Sequence, residues 1–73
     1  MTMGTQLKVV ASKDGWDVIY ADAKYAESHH ATRIDAIAAG IEQACRDCVT
    51  LVIFDQEGRE CSRRSYSRAG ILA

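Results

Sequence analysis

Two short β-type runs open the chain, Leu7-Lys8-Val9-Val10-Ala11 and Trp16-Asp17-Val18-Ile19-Tyr20-Ala21. Between them, Ser12-Lys13-Asp14-Gly15 carries the Asp-Gly signal of a tight hairpin, because glycine accepts the positive φ such a turn demands. In the second run Trp16, Val18 and Tyr20 fall on one face and Asp17 on the other, the period-2 alternation of a half-buried strand. After a turn at Asp22-Ala23-Lys24, a weaker third strand is predicted over residues 25–30.

At Thr32 the period changes. Ile34, Ile37, Ala38, Ile41, Ala44, Cys45 and Cys48 follow the i, i+3, i+4, i+7 rule and predict one apolar stripe on a helix. Thr32 is suited to the N-cap, where its hydroxyl accepts an otherwise unpaired backbone amide, and Asp35 takes the acidic position three residues on. Gly40 weakens the helix interior by up to ~1 kcal/mol relative to alanine. A close approach to a neighbouring element is the expected return.

Residues 49–54, Val-Thr-Leu-Val-Ile-Phe, form the strongest predicted strand. Asp55-Gln56-Glu57-Gly58 turns it, and residues 59–66 return as its hairpin partner. The predicted order is β-β-(β)-α-β-β, with antiparallel hairpins at both ends. One helix covers only one face of a sheet. Yet Val49, Leu51 and Ile53 point one way while Val52 and Phe54 point the other, and Val10 and Ile19 add to the second face in a suitable register. That second face needs a cover: the Ile71-Leu72 end of the tail, a second copy of the chain, or another protein.

Composition narrows the classes. The chain has 73 residues, 48% of them apolar and 26% charged, with no proline, and so reads as a single folded domain over residues 1–73, its core at about 7–66 and a tail at 67–73. A domain this small has little stability to spare, which favours an external staple such as a dimer interface. No run is long and apolar enough to span a bilayer. The opening residues lack the charged start and apolar core of a secretory signal, and three cysteines fit free thiols better than a disulfide framework. Cytoplasmic location is the expectation.

The net charge of −1 gives no global nucleic-acid signature. From Gln56 onward, however, Arg59, Arg63, Arg64 and Arg68 outnumber Glu57 and Glu60. Arginines near Tyr66 suit phosphate contact and base stacking. A charged edge strand that blocks sheet-to-sheet aggregation explains the same residues more simply.

Three other constellations point to chemistry and do not carry it. Cys45-Arg46-Asp47-Cys48 has redox or zinc spacing. It sits at the C-terminal end of the predicted helix, where the dipole and Asp47 have the wrong sign to activate a thiolate. Burial as small hydrophobes ending the apolar stripe is expected instead. Zinc needs about four ligands, and His29 and His30 lie at the far end of a helix ~20 Å long. Ser28, His29, His30 and Glu27 contain the makings of a nucleophile and base, but no oxyanion site or orienting acid accompanies them.

Gly15-Trp16 at the second strand, Thr32-Arg33-Ile34-Asp35-Ala36 at the helix start, the strand Leu51-Val52-Ile53, and the Gly58-Arg59 turn leading to Ser65-Tyr66 share an order and spacing with a known group. Together they resemble the bacterial family designated domain of unknown function 2188, from about Val9 to Tyr66. The resemblance implies the architecture. It implies no activity, cofactor or catalytic residue.

The sequence therefore predicts an α+β fold, an antiparallel sheet of four to five short strands with one amphipathic helix on one face. It predicts a non-enzymatic interaction or self-associating module, working as a homodimer or with another protein, without cofactor, metal or membrane. The candidate surface is Val52, Phe54, Arg59, Arg63, Arg64 and Tyr66. The alternative is a nucleic-acid-binding accessory domain that uses the C-terminal arginines.

Overall fold

The computed structural model describes residues 6–66. Its elements are β1 (Gln6–Ser12), β2 (Gly15–Tyr20), β3 (Ser28–His30), α1 (Arg33–Asp47), β4 (Thr50–Phe54) and β5 (Glu60–Ser65), in one five-stranded sheet of order β3-β2-β1-β4-β5. The tail at 67–73, with Ile71 and Leu72, lies outside the described residues.

Both expected hairpins are antiparallel: β1 with β2, Leu7 facing Tyr20, and β4 with β5, Leu51 facing Arg64. β3 adds antiparallel to β2, with Asp17 facing His29. The central pair departs from the antiparallel expectation. β1 and β4 run parallel, with Leu7 beside Leu51 and Val9 beside Ile53. The cause is a count of chain reversals. β2, β3 and α1 intervene, each turning the chain back, so β4 re-enters in the sense of β1. A parallel neighbour needs a crossover of this kind, and the helix supplies it.

The first hairpin closes through Lys13 and Asp14, and Asp14 rather than glycine takes the left-handed conformation, at φ 67°. Gly15 serves another purpose. A Cβ there would collide with the backbone oxygen of His30, so glycine lets β3 dock against β2. The third strand is shorter than predicted, three residues instead of six, and Tyr25 is 82% exposed.

The helix starts as predicted. Thr32 is its N-cap, and its hydroxyl accepts from the Asp35 amide at 3.1 Å. At the other end Cys48 takes the left-handed cap conformation, and its amide returns to the Ala44 carbonyl. The buried stripe, however, is rotated from the predicted one. Ala36, Gly40 and Ala44 are its centre, with Ile37 and Ile41 half-buried beside it, whereas Ile34 is 79% exposed and Ala38, Cys45 and Cys48 are exposed. Space decides this. A Cβ on Gly40 would lie 3.0 Å from Val9 Cγ2 and 3.1 Å from Leu51 Cδ1, so the helix rests directly on the large side chains of the sheet. Leu7, Val9, Val18, Leu51 and Ile53 fill the core from below, and the helix contributes small residues from above.

Polar ties hold both helix ends. Arg33 lies over the Trp16 ring at 5.6 Å and donates from Nε to the Phe54 carbonyl at 3.4 Å. Near the C-terminus the Tyr20 hydroxyl donates to the Asp47 carboxylate, and Gln43 donates to Glu27 at 3.0 Å. Burial, reinforced by the Asp47 carboxylate, raises the Tyr20 hydroxyl above its ordinary range.

Candidate interaction face

Strand alternation assigns each side chain of the sheet to the helix or away from it. Leu7, Val9, Val18, Leu51 and Ile53 meet the helix, with Trp16, Tyr20 and Tyr66 packed around them. Lys8, Val10, Asp17, Ile19, Val52 and Phe54 are the alternate residues and face the other way. No helix among the described residues covers them. The predicted second apolar face is thus a face of the folded domain, and Val10 and Ile19 do belong to it.

The pairing register lays this face out in rows that cross the strands. One row runs His29, Asp17, Val10, from β3 to β1. Continuing the β1–β4 register sets Phe54 next, and Phe54 pairs with Glu60. The adjacent row runs Ile19, Lys8, Val52, Arg63. Val52 is 1% exposed although it points away from the helix, flanked by the long stems of Lys8 and Arg63. Val10, Ile19 and Phe54 are half-buried, and the Lys8 ammonium lies 5.6 Å from the centroid of the Phe54 ring. An open groove of about 330 Å³ extends the face from Lys8, Val10 and Phe54 to the turn at Asp55, Glu57 and Gly58.

The predicted arginines do not form one patch. Arg63 pairs with Val52 on the helix-free side, whereas Arg64 pairs with Leu51 on the helix side, where Tyr66 packs against the core. Arg59 sits in the β4–β5 turn, and its amide donates to the Asp55 carboxylate at 2.9 Å. Arg63 donates from two nitrogens to the two Glu60 oxygens, both at 3.0 Å. A β-bulge at Ile53/Phe54 makes that pair: it shifts Glu60 opposite Phe54, so its carboxylate meets Arg63 on the same face. The hydrogen bond holds the Glu60 carboxyl below its usual range and Arg63 above its own. Of the six candidate residues, Val52, Phe54 and Arg63 come together. Arg59, Arg64 and Tyr66 are elsewhere.

A polar cluster missed at the level of sequence sits at the β3 end of the same face. His29 Nδ1 donates to Asp17 Oδ1 at 2.6 Å, and Ser12 donates to the same oxygen at 3.2 Å. The Asp17 bond raises the His29 imidazole above its ordinary value. The only signal was register: Asp17 and His29 are the outward residues of two strands whose pairing cannot be read locally. The three side chains do not make a nucleophile–base pair. Ser12 lies 3.4 Å from Nδ1, the same nitrogen that Asp17 holds, so that nitrogen is not available to take a serine proton. Ser28 and His30, on the other side of β3, bond each other at 2.8 Å.

Cys45 and Cys48 are exposed, which overturns their expected burial; Cys61 is exposed as well. The rotated helix stripe explains this, because it turns the outer flank of the predicted stripe to solvent. Cys48 Sγ turns back to the Cys45 carbonyl at 3.8 Å. Among the described residues no group of three or more His, Cys, Asp or Glu side chains is placed to hold a metal ion, and no helix is long and apolar enough to cross a membrane.

No curated protein and no solved structure matches the chain. A bacterial family does, over residues 7–66, the span from β1 through the end of β5. The chain belongs to that family, described as an uncharacterized protein conserved in bacteria (DUF2188).

Proposed function

We propose that this domain is a non-enzymatic interaction module that engages protein through the helix-free face of its sheet. One observation carries the reading. Val10, Ile19 and Phe54 stay partly exposed around the buried Val52 on a face that no helix among the described residues covers, with charges of both signs set among them. Central apolar residues within a polar surround are the usual composition of a protein interface. The split of Arg63 from Arg64, and the Glu60 bond to Arg63, leave no continuous basic stripe to favour nucleic acid.

Site-specific photo-crosslinking tests this in cells that express the full chain. A photoreactive residue at position 54 is compared with one at Ile34, which is 79% exposed on the outer side of the helix. Protein adducts at 54 and none at 34 support the reading. No adduct at 54, or the same adducts from both positions, overturns it.

A further inference from the structure

Resting on that reading, we propose that the occupant of the helix-free face is a second copy of the chain, stacked face to face about a two-fold axis that crosses the strands. The face carries Lys8 and Arg63 in one row and Asp17 and Glu60 in the next. A strongly acidic or strongly basic partner would meet like charge in one of these rows. A copy of the same face need not. The rows lie two residues apart along each strand, ~7 Å. A two-fold axis midway between them sets each row over the other row of the partner, strand upon strand. Glu60 then lies over the partner's Arg63 and Arg63 over the partner's Glu60, while Phe54 meets the stems that cover the partner's Val52, and Lys8 and Asp17 lie over the partner's Val10 and Ile19. The interface is isologous and closes after two copies.

The sheet edges fit a partner less well. β3 is only three residues long, and β5 carries Glu60, Arg63 and Arg64 together with the bulge, the features by which edge strands resist pairing. Stacking with strands of the two sheets roughly aligned is the ordinary way for two apolar faces to pack. The footprint sets the strength. Five strands ~4.8 Å apart and three to seven residues long cover roughly 400 Å² in projection. That is small against the ~800 Å² per partner of a stable complex, so the dimer is a weak, rapidly exchanging one.

Sedimentation velocity of the full chain from ~10 μM to ~1 mM is the test, with circular dichroism to confirm that each variant folds. The intact chain should shift from monomer to dimer with concentration. Glu60→Arg and Arg63→Glu, both at exposed positions, should each weaken the dimer by about tenfold or more. An equal mixture of the two variants should restore it, because each new charge then faces its opposite. A monomer at ~1 mM overturns the proposal, and so does a dimer that neither variant weakens or that the mixture fails to restore. A chain ending at Tyr66 that dimerises where the intact chain does not also overturns it and assigns the face to the tail. If position 54 crosslinks to a different protein while the chain sediments as a monomer, the interaction reading stands and self-association alone falls.

Discussion

Alternate residues of the same five strands build both faces of the sheet, and the two faces differ in how they exclude water. On the helix side, Leu7, Val9, Val18 and Leu51 are fully buried and meet a helix whose contact residues are Ala36, Gly40 and Ala44. Large residues from the sheet fit against small ones from the helix, without a buried polar group among the described residues. On the opposite side Val52 is equally buried, but by the stems of charged neighbours, and Val10, Ile19 and Phe54 are only partly covered. The helix side also carries more apolar residues, with Ile53, Trp16 and Tyr20 beside Leu7, Val9, Val18 and Leu51, against Val10, Ile19, Val52 and Phe54 on the other. Charge placement separates them further: one face is closed as a core, and the other carries Lys8, Asp17, Glu60 and Arg63 among its apolar residues.

The sharpest way to break this contrast is to cut into each face in turn. Leu51→Ala should cost about 2–5 kcal/mol, enough to unfold much of a domain this small, whereas Phe54→Ala on the other face should cost less than half as much in the monomer. Urea denaturation at low protein concentration compares them, and equal losses would mean that the faces are not energetically distinct. Next comes the close helix contact. Gly40→Val presses against Val9 and Leu51 and should cost about 1–3 kcal/mol by overpacking; an unchanged midpoint would show that the helix can lift off its bed. Thr32→Ala should cost ~1 kcal/mol through the lost cap, again read from the urea midpoint, and should leave any self-association of the other face unaltered.

A smaller effect belongs to the helix-free face. The folded domain holds His29 above its ordinary value of 6.5, so the folded state binds that proton more tightly than the unfolded chain does. The Asp17–His29 bond therefore adds stability below about pH 6.5 and loses it as pH rises through the raised folded value. Urea midpoints between pH 5 and 8 should show a decline in the parent that His29→Asn flattens; identical slopes would exclude the pair as the source. Smallest of all, alkylation of Cys45 and Cys48 should proceed in the folded protein and shift stability by no more than ~0.5 kcal/mol, as expected for exposed positions. Mass spectrometry before and after denaturation would reveal the opposite, protected thiols.

Much of this contrast could be read in the sequence, for local reasons. The first hairpin, the Thr32 cap and the alternation of Val49, Leu51 and Ile53 against Val52 and Phe54 involve neighbours in the chain, and each proved correct, although Asp14 rather than Gly15 takes the left-handed turn position. What failed depended on distant packing. Hydrophobicity placed Ile34, Cys45 and Cys48 in the helix stripe, but the sheet already supplied the bulk and the helix needed only small residues to approach it. Strand alternation already put Arg63 and Arg64 on opposite faces, whereas the bulge that brings Glu60 to Arg63 depended on pairing and was not legible. The Asp17–His29 pair and the parallel centre were invisible because both depend on which distant strands become neighbours.

That parallel centre bears on how the chain acquires its fold. β1 and β4 lie side by side although Leu7 and Leu51 are separated by the whole of β2, β3 and α1. The two hairpins can zip locally on the microsecond scale, but their union requires closure of a long loop and should limit the folding rate. During synthesis, the inner edge of β1 stays open until the helix and β4 have left the ribosome. A nascent chain of this kind presents, for a time, a bare strand of Leu7 and Val9 to any chain beside it. Shortening the segment at 21–27 should speed folding if loop closure sets the pace, and stopped-flow refolding would show whether it does.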